Sequence, residues 1–196
     1  MCGRYALHAN PEVVALQFGL DAVPELAPRY NIAPATEALI VRDRKASLAY
    51  WGLRRKFANL RAETLAQKFP GPYRNGRALV PASGFYEWQT RAGRKQPYYF
   101  SPADGALLAL AAVWENGSFS LITTEPNATL RNIHDRMPVI IGRHDYAAWL
   151  GGKDDLLRPA PDDALQVRAV GMAVNQAAND SPRLLEPVEL PRGLFD

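Results

Sequence analysis

Cysteine is nearly absent from this chain of 196 residues, in which Cys2 is the single example. One thiol excludes an internal disulfide framework and any metal site built from several cysteines. Long hydrophobic runs are also lacking, and none approaches the ~20 residues that a membrane-spanning helix needs. We therefore expect no membrane association. The first residues, Met-Cys-Gly-Arg-Tyr, lack the apolar core of a secretory signal, which favours a cytoplasmic protein.

Motifs of several common enzyme classes are missing as well. The sequence contains neither a glycine-rich phosphate-binding loop nor a Gly-x-Ser-x-Gly elbow, and its histidines and acidic residues do not show metal-ligand spacing. No metal or other cofactor is expected. The net charge of +3 permits an anionic partner without requiring one, because nucleic-acid binding depends on where the positive charges lie.

Short elements separated by frequent turns are expected, since 16 prolines and 14 glycines are spread along the chain. Residues 11–18 have helical spacing, and hairpins are predicted around residues 43–45 and 115–117. Alternation from residue 165 to 174 predicts a strand. Many short strands and few helices favour one α+β domain over residues 1–196, with a barrel-like mixed or antiparallel β core and flanking short helices.

Cys2 is a candidate nucleophile because of its position. A lone cysteine is more often a small buried apolar residue, but removal of Met1 would leave the amine and thiol of Cys2 two carbons apart. The pKa of a free α-amine is ~7.7–8.0 and that of a thiol is ~8.5, so a fraction of each is nucleophilic near neutral pH. With an aldehyde, such an aminothiol forms a Schiff base and then a five-membered thiazolidine, whose closure is favoured by proximity.

Glu87 and His134 are candidate proton carriers. Alternation in residues 84–88 places Phe85 and Glu87 on one face of a strand. Desolvation there would raise the pKa of the carboxyl and suit it to proton transfer; the alternative is an exposed strand position. His134 lies in the charged turn of residues 133–138 and titrates near neutral pH, and the alternative is a surface histidine.

Residues 54–63 form a basic segment that begins Arg-Arg-Lys and continues through Asn59 and Arg61. Such a charge run is usually a solvated loop. With Trp51 and Phe57 nearby, the segment is also suited to hold a phosphate and stack a base, as proteins that bind single strands do. The residues alone leave both interpretations open.

Seven short stretches together resemble the SRAP family of SOS response-associated peptidase domain proteins. In chain order they cover residues 1–5, 29–34, 51–53, 59–64, 80–88, 133–138 and 174–187. Each stretch is short, but the ordered set is specific and spans nearly the whole chain. The resemblance implies a single domain with a barrel-like β core, flanked by helices.

The resemblance also implies a protein that senses abasic sites in single-stranded DNA and crosslinks to them. Nothing in the sequence requires more than a monomer. In the family pattern, the mature N-terminal cysteine forms a thiazolidine with the ring-opened sugar. The catalytic set carried over is Cys2, Asn59, Glu87 and His134. The DNA contacts carried over are Arg4, Pro34, Trp51, Arg61 and Arg136. Here His134 would open the sugar ring, Glu87 would carry protons and Asn59 would orient the sugar, with strand cleavage as a weak lyase side activity.

Two other functions remain open. The family name suggests a thiol peptidase, which would be limited to self-cleavage after Met1 and would use Cys2, Glu87 and His134. The third possibility is a noncatalytic protein that binds single-stranded DNA through its arginines and Trp51. The loop from residue 53 to 58 is shorter than in the family pattern, so Phe57 would have to supply any stacking contact from this loop.

Overall fold

The computed structural model describes residues 2–91 and 93–190. The α-helices of this part of the chain are α1 (Pro11–Phe18), α2 (Ala62–Lys68), α3 (Pro70–Asn75) and α4 (Tyr146–Leu150). The strands are β1 (Arg4–Leu7), β2 (Arg29–Ile32), β3 (Glu37–Arg42), β4 (Lys45–Trp51), β5 (Asn59–Arg61), β6 (Arg77–Ala82), β7 (Gly84–Arg91), β8 (Arg94–Pro102), β9 (Leu108–Glu115), β10 (Ser118–Thr124), β11 (Met137–Pro138) and β12 (Leu165–Ala169). Among these residues, no helix is long and apolar enough to cross a membrane.

Five strands close into a ring in the order β10-β4-β3-β6-β9, with β9 pairing back onto β10. Strand β4 runs parallel to β10, and the other pairs in the ring are antiparallel. At the β3–β4 turn, Asp43 and Arg44 have φ values of 50° and 57°. Positive φ at both positions gives a two-residue turn whose twist matches the strands it joins. The predicted α+β class with a barrel-like mixed core and short helices is therefore confirmed.

A second, antiparallel sheet has the order β12-β8-β7-β1-β2. Its inner face carries Phe85 and Phe100, which stack at a centroid distance of 5.1 Å and belong to the same buried cluster as barrel residues. Its outer face carries Tyr86 and Tyr99, in a separate cluster. The alternation predicted for β7 is confirmed, and it directs Glu87 to the inner side.

Two local differences from the sequence prediction have physical reasons. The strand predicted over residues 165–174 ends at Ala169, and Met172–Asn175 forms a 3₁₀ turn instead. Val174 in this turn is fully buried, and its carbonyl accepts side-chain hydrogen bonds from the first strands of the second sheet. Helix α3 was not predicted because its Pro-Gly-Pro start resembles a turn, yet proline is tolerated in the first turn of a helix.

Candidate active site around Cys2

Cys2 lies immediately before β1 and is fully buried. Its backbone carbonyl accepts a hydrogen bond from Asn59 Nδ2 at 2.8 Å. Asn59 is the first residue of β5, which pairs in parallel with β10 of the ring, so the barrel fixes the position of Cys2. Burial and the nearby charge of Glu87 raise the pKa of the Cys2 thiol. The thiol therefore keeps its proton at neutral pH until a neighbouring base removes it.

Glu87 is the buried acid of the site, with an exposed fraction of 1%. Its Oε2 atom lies 3.7 Å from His134 Nε2, and its Oε1 atom has no hydrogen-bond partner. Burial raises the pKa of the carboxyl to about 8. A group with this pKa exchanges its proton near neutral pH, as general acid–base catalysis requires. The predicted desolvation of Glu87 is confirmed.

His134 faces Glu87 from the turn that precedes β11. His134 Nδ1 lies 3.0 Å from the backbone N–H of Arg136 and 3.2 Å from the Arg136 carbonyl, and Nε2 lies 3.7 Å from Glu87 Oε2. Burial lowers the pKa of His134, and the carboxylate of Asp135, 3.1 Å from Nδ1, acts in the opposite direction. The neutral ring is thus the resting form, oriented so that a proton can pass between imidazole and carboxyl.

Glu87 and His134 line an open cleft of about 430 Å³. The other lining residues are Trp88, Thr90, Lys95 and Asn175. Some buried side-chain polar atoms have no hydrogen-bond partner within the described part of the chain. Across the described residues they are Tyr5 Oη, Asn59 Oδ1, Glu87 Oε1 and Arg136 Nε, with Tyr99 Oη as the one further example. Natural proteins rarely leave such atoms unpaired, and two of these atoms belong to predicted site residues, Asn59 and Glu87.

Arg136 and Arg4 are both engaged within the protein. The Arg136 guanidinium makes a two-pronged contact with Glu63, at 2.6 and 2.9 Å, and also donates to the Thr123 carbonyl at 2.7 Å. Arg4 donates to Asn31 Oδ1 at 2.9 Å and to the Val174 carbonyl at 2.6 Å. These bonds fix the two guanidinium groups in place, and a role for either in DNA binding stays a prediction.

Arg61 and Pro34 are more accessible. Arg61 is exposed at the end of β5, two residues after Asn59. Pro34 is half-buried in the turn between β2 and β3, where Ala35 donates its backbone N–H to the Trp51 carbonyl at 2.9 Å. Their predicted contacts with DNA stay predictions.

Trp51 is a core residue. Its side chain is fully buried, its Nε1 donates to the Ala58 carbonyl at 2.8 Å, and its ring stacks on Phe119 at 6.3 Å. This corrects the expectation that Trp51 stacks on a base. Phe57 is half-buried and packs edge-on against Phe69 at 5.1 Å.

Sequence reasoning missed several residues of the site. Lys95 and Asn175 line the cleft, and Glu63 holds Arg136. Two of these residues lie in stretches that carried the family resemblance, Glu63 in residues 59–64 and Asn175 in residues 174–187, and that position could have pointed to them. No group of three or more His, Cys, Asp or Glu side chains among the described residues could hold a metal ion.

The fold and site together define a class of protein in which a mixed β-barrel buries a thiol at the second residue beside a carboxyl and an imidazole. Residues 1–177 match the family model described as SOS response associated peptidase (SRAP), and the chain belongs to this family.

Among the relatives, the abasic site processing protein YoaM of Bacillus subtilis is 32% identical, over 95% of this chain and 98% of that protein. The abasic site processing protein YedK of Escherichia coli is 28% identical, over 96% and 100%. A crystal structure of a protein from Bacteroides thetaiotaomicron has the same fold, with a TM-score of 0.87 and 21% identity over 96% of this chain and 100% of that one.

Proposed function

We propose that this protein processes abasic sites in DNA by trapping them covalently through Cys2. The observation that carries the proposal is a chain of contacts between residues far apart in the sequence: Asn59 bonds the Cys2 carbonyl, the charge of Glu87 acts on the Cys2 thiol, and Glu87 faces His134 at 3.7 Å. Membership of the SRAP family and the names of its relatives as abasic site processing proteins support it.

The proposed chemistry starts from a chain that has lost Met1. His134, as general acid and base, opens the sugar, which is mostly cyclic at rest and then exposes an aldehyde at C1′. The Cys2 amine adds to this carbon and water leaves, giving a protonated imine. The thiol then gives its proton to the Glu87 carboxylate, and the sulfur bonds to the imine carbon. The C=N electron pair returns to nitrogen and closes a thiazolidine.

The surroundings of each group suit these steps. Because burial raises the pKa of Glu87 to about 8, this carboxyl accepts and returns protons near neutral pH. General acid–base catalysis by such groups contributes about 10²–10⁴-fold. Asn59 Oδ1 is buried without a partner and is available to a sugar hydroxyl while Nδ2 holds the Cys2 carbonyl. Cleavage of the strand from the imine would be a side activity.

The DNA partner is proposed to be single-stranded, because a base-free sugar must reach a buried thiol. Arg61 is exposed beside Asn59 and suits a flanking phosphate. Arg4 and Arg136 would add to the same positive surface, so binding should weaken with salt. Selectivity would come from the aldehyde, which an intact nucleotide lacks.

The test incubates protein verified by mass spectrometry to begin at Cys2 with an oligonucleotide that carries one abasic site. We expect a covalent adduct that survives a denaturing gel, and none with Cys2→Ala or with an undamaged oligonucleotide. Verified protein that stays unmodified would overturn the proposal. A general thiol peptidase would cleave added peptides even with the Cys2 amine acetylated, whereas a peptidase limited to self-cleavage would only remove Met1. A pure DNA binder would form no adduct in any variant.

A further inference from the structure

Tyr5 is an unexplained polar residue in the core. Its side chain is fully buried in β1, and its hydroxyl has no hydrogen-bond partner among the described residues. An unpaired buried hydroxyl is destabilising, whereas phenylalanine would fill the same space without that penalty. Nothing in the described structure therefore requires a hydroxyl at this position.

The strand register directs Tyr5 toward the active site. Tyr5 lies opposite Phe85 across the β1–β7 pair, and residues that lie opposite each other share a face of the sheet. Because side chains alternate along a strand, Phe85 and Glu87 also share that face. The Tyr5 ring packs against Trp51 at 5.2 Å, on the inner side of the sheet. Tyr5 and Glu87 are thus neighbours on the buried face beside Cys2.

The Cys2 sulfur lacks a hydrogen-bond donor. Its one contact of this kind among the described residues is with the Arg4 carbonyl at 4.0 Å, and a carbonyl can only accept. Asn59 donates to the Cys2 backbone and not to the sulfur. Cys2 and Tyr5 belong to one buried cluster, and after burial the charge of Cys2 is the next largest influence that raises the pKa of Tyr5. Within this cluster the unpaired Tyr5 hydroxyl is thus a donor that becomes available to the Cys2 sulfur once the thiol has lost its proton.

We propose that Tyr5 is a further catalytic residue, whose hydroxyl donates a hydrogen bond to the Cys2 sulfur after the thiol gives its proton to Glu87. Its place in the reaction rests on the function proposed above. In this step the S–H bond breaks, the carboxylate takes the proton, and the sulfur lone pair forms the C–S bond. Tyr5 transfers no proton; its hydroxyl stabilises the sulfur anion before the C–S bond forms.

The chain supplies a matched control. Tyr99 is also buried with an unpaired hydroxyl, but it lies in the outer cluster with Tyr86 and Val174. Tyr5→Phe and Tyr99→Phe each remove one oxygen from a buried ring. We expect both variants to fold with an unchanged or higher thermal midpoint, so a loss of reactivity confined to Tyr5→Phe cannot come from unfolding.

The first measurement needs no DNA. Cys2 is the single cysteine, so iodoacetamide alkylation followed by mass reports its sulfur alone. In protein that begins at Cys2, we expect Tyr5→Phe to slow alkylation about tenfold near neutral pH and to move its pH midpoint upward, because a donor to the thiolate is lost. The titratable groups that act on the sulfur are its own α-amine, Glu87 and beyond it His134, and they are the same in all variants. Tyr99→Phe should match the parent protein.

The second measurement is the rate of crosslinking to an abasic oligonucleotide, where Tyr5→Phe should again be about tenfold slower. Alkylation by Tyr5→Phe at the parent rate and pH midpoint would overturn the inference, whatever the crosslinking rate. If the parent protein alkylates but never crosslinks, the proposed function fails while alkylation still decides the role of Tyr5.

Discussion

A buried carboxyl makes the stability of a protein depend on pH, and Glu87 is such a group. Its pKa of about 8 in the folded chain exceeds the value of 4.5 for an exposed glutamate. Between these values the folded state binds more protons than the unfolded state, so its stability falls as pH rises. The stabilising effect of the protonated form is complete below 4.5 and is lost as pH rises through about 8.

We therefore expect the free energy of unfolding of the parent protein to fall relative to Glu87→Gln between pH 4.5 and 8.5, by roughly 2–5 kcal/mol. Urea unfolding at several pH values measures this difference. Glu115→Gln is the control, because the hydrogen bond from Arg54 lowers the pKa of Glu115 and its effect must have the opposite sign and be small. Parallel pH profiles for parent and Glu87→Gln would contradict the argument.

For single residues, the sequence predicted the orientation of side chains that follow from strand alternation or from adjacent residues. Alternation along β7 put Glu87 on the same face as Phe85, but it left open whether that face is buried. Trp51 was misjudged, because an aromatic beside a basic segment has the same local pattern whether its ring faces a base or Phe119. Tyr5 could not be recognised, since the absence of a partner for its hydroxyl depends on strands distant in sequence.

At the scale of elements, the contact between Glu63 and Arg136 joins helix α2 to the turn that carries His134. Glu63 occupies both outer nitrogens of the guanidinium, the edge that would otherwise hold a phosphate. A phosphate can bind there only after the carboxylate has left. Glu63 is half-exposed, and its pKa is lowered by the hydrogen bond from Arg136.

We expect Glu63→Gln to bind undamaged single-stranded DNA about twofold to fivefold more tightly at low salt, because an exposed ion pair of this kind contributes only ~0.2–1 kcal/mol. Fluorescence anisotropy with a labelled oligonucleotide measures the affinity. Glu12→Gln removes the same charge from the same part of helix α1 and serves as the control. Equal gains in the two variants would show that net charge alone is responsible.

The sequence predicted the helices and hairpins that depend on residues close together in the chain. Helix α1 begins at Pro11 and ends at Phe18 as predicted, although the side chain of Asn10 makes no capping bond. The two predicted hairpins formed around residues 43–45 and 115–117. The early end of β12 escaped prediction, because it depends on hydrogen bonds from Arg4 and Asn31 to a carbonyl far along the chain.

Across the whole molecule, two exposed arginines, Arg61 and Arg44, lie near opposite ends of the β3–β4 hairpin. Its Trp51 end pairs with β10 next to β5, which ends at Arg61. The opposite end of the hairpin is the turn at Arg44. Strand β3 spans six residues, from Glu37 to Arg42. At about 3.3 Å per residue this places the turn roughly 17 Å from the other end.

We expect Arg61→Gln to flatten the salt dependence of single-stranded DNA binding by about 0.7 in the slope of log K against log salt, the value for one phosphate contact. Arg44→Gln should leave the slope unchanged. Titrations from low to high salt with an undamaged oligonucleotide measure both. A slope shared by Arg61→Gln and the parent protein would remove Arg61 from the DNA surface.

The fold class was predictable from the sequence, but the order and pairing of the strands were not. Periodicity identifies strands, but the parallel pairing of β10 with both β4 and β5 depends on which edges remain free once the hairpins have formed. That pairing brings Asn59 to Cys2, so the family resemblance, and not the pattern, placed these residues together in advance. The extent of one domain over residues 1–196 stays a prediction.

The bond from Arg4 to the Val174 carbonyl spans 170 positions. During synthesis the first strand is made long before residue 174 has been added, so this bond forms only after most of the chain exists. A growing polypeptide therefore carries the segment that contains Arg4 without this anchoring bond until residue 174 has been added.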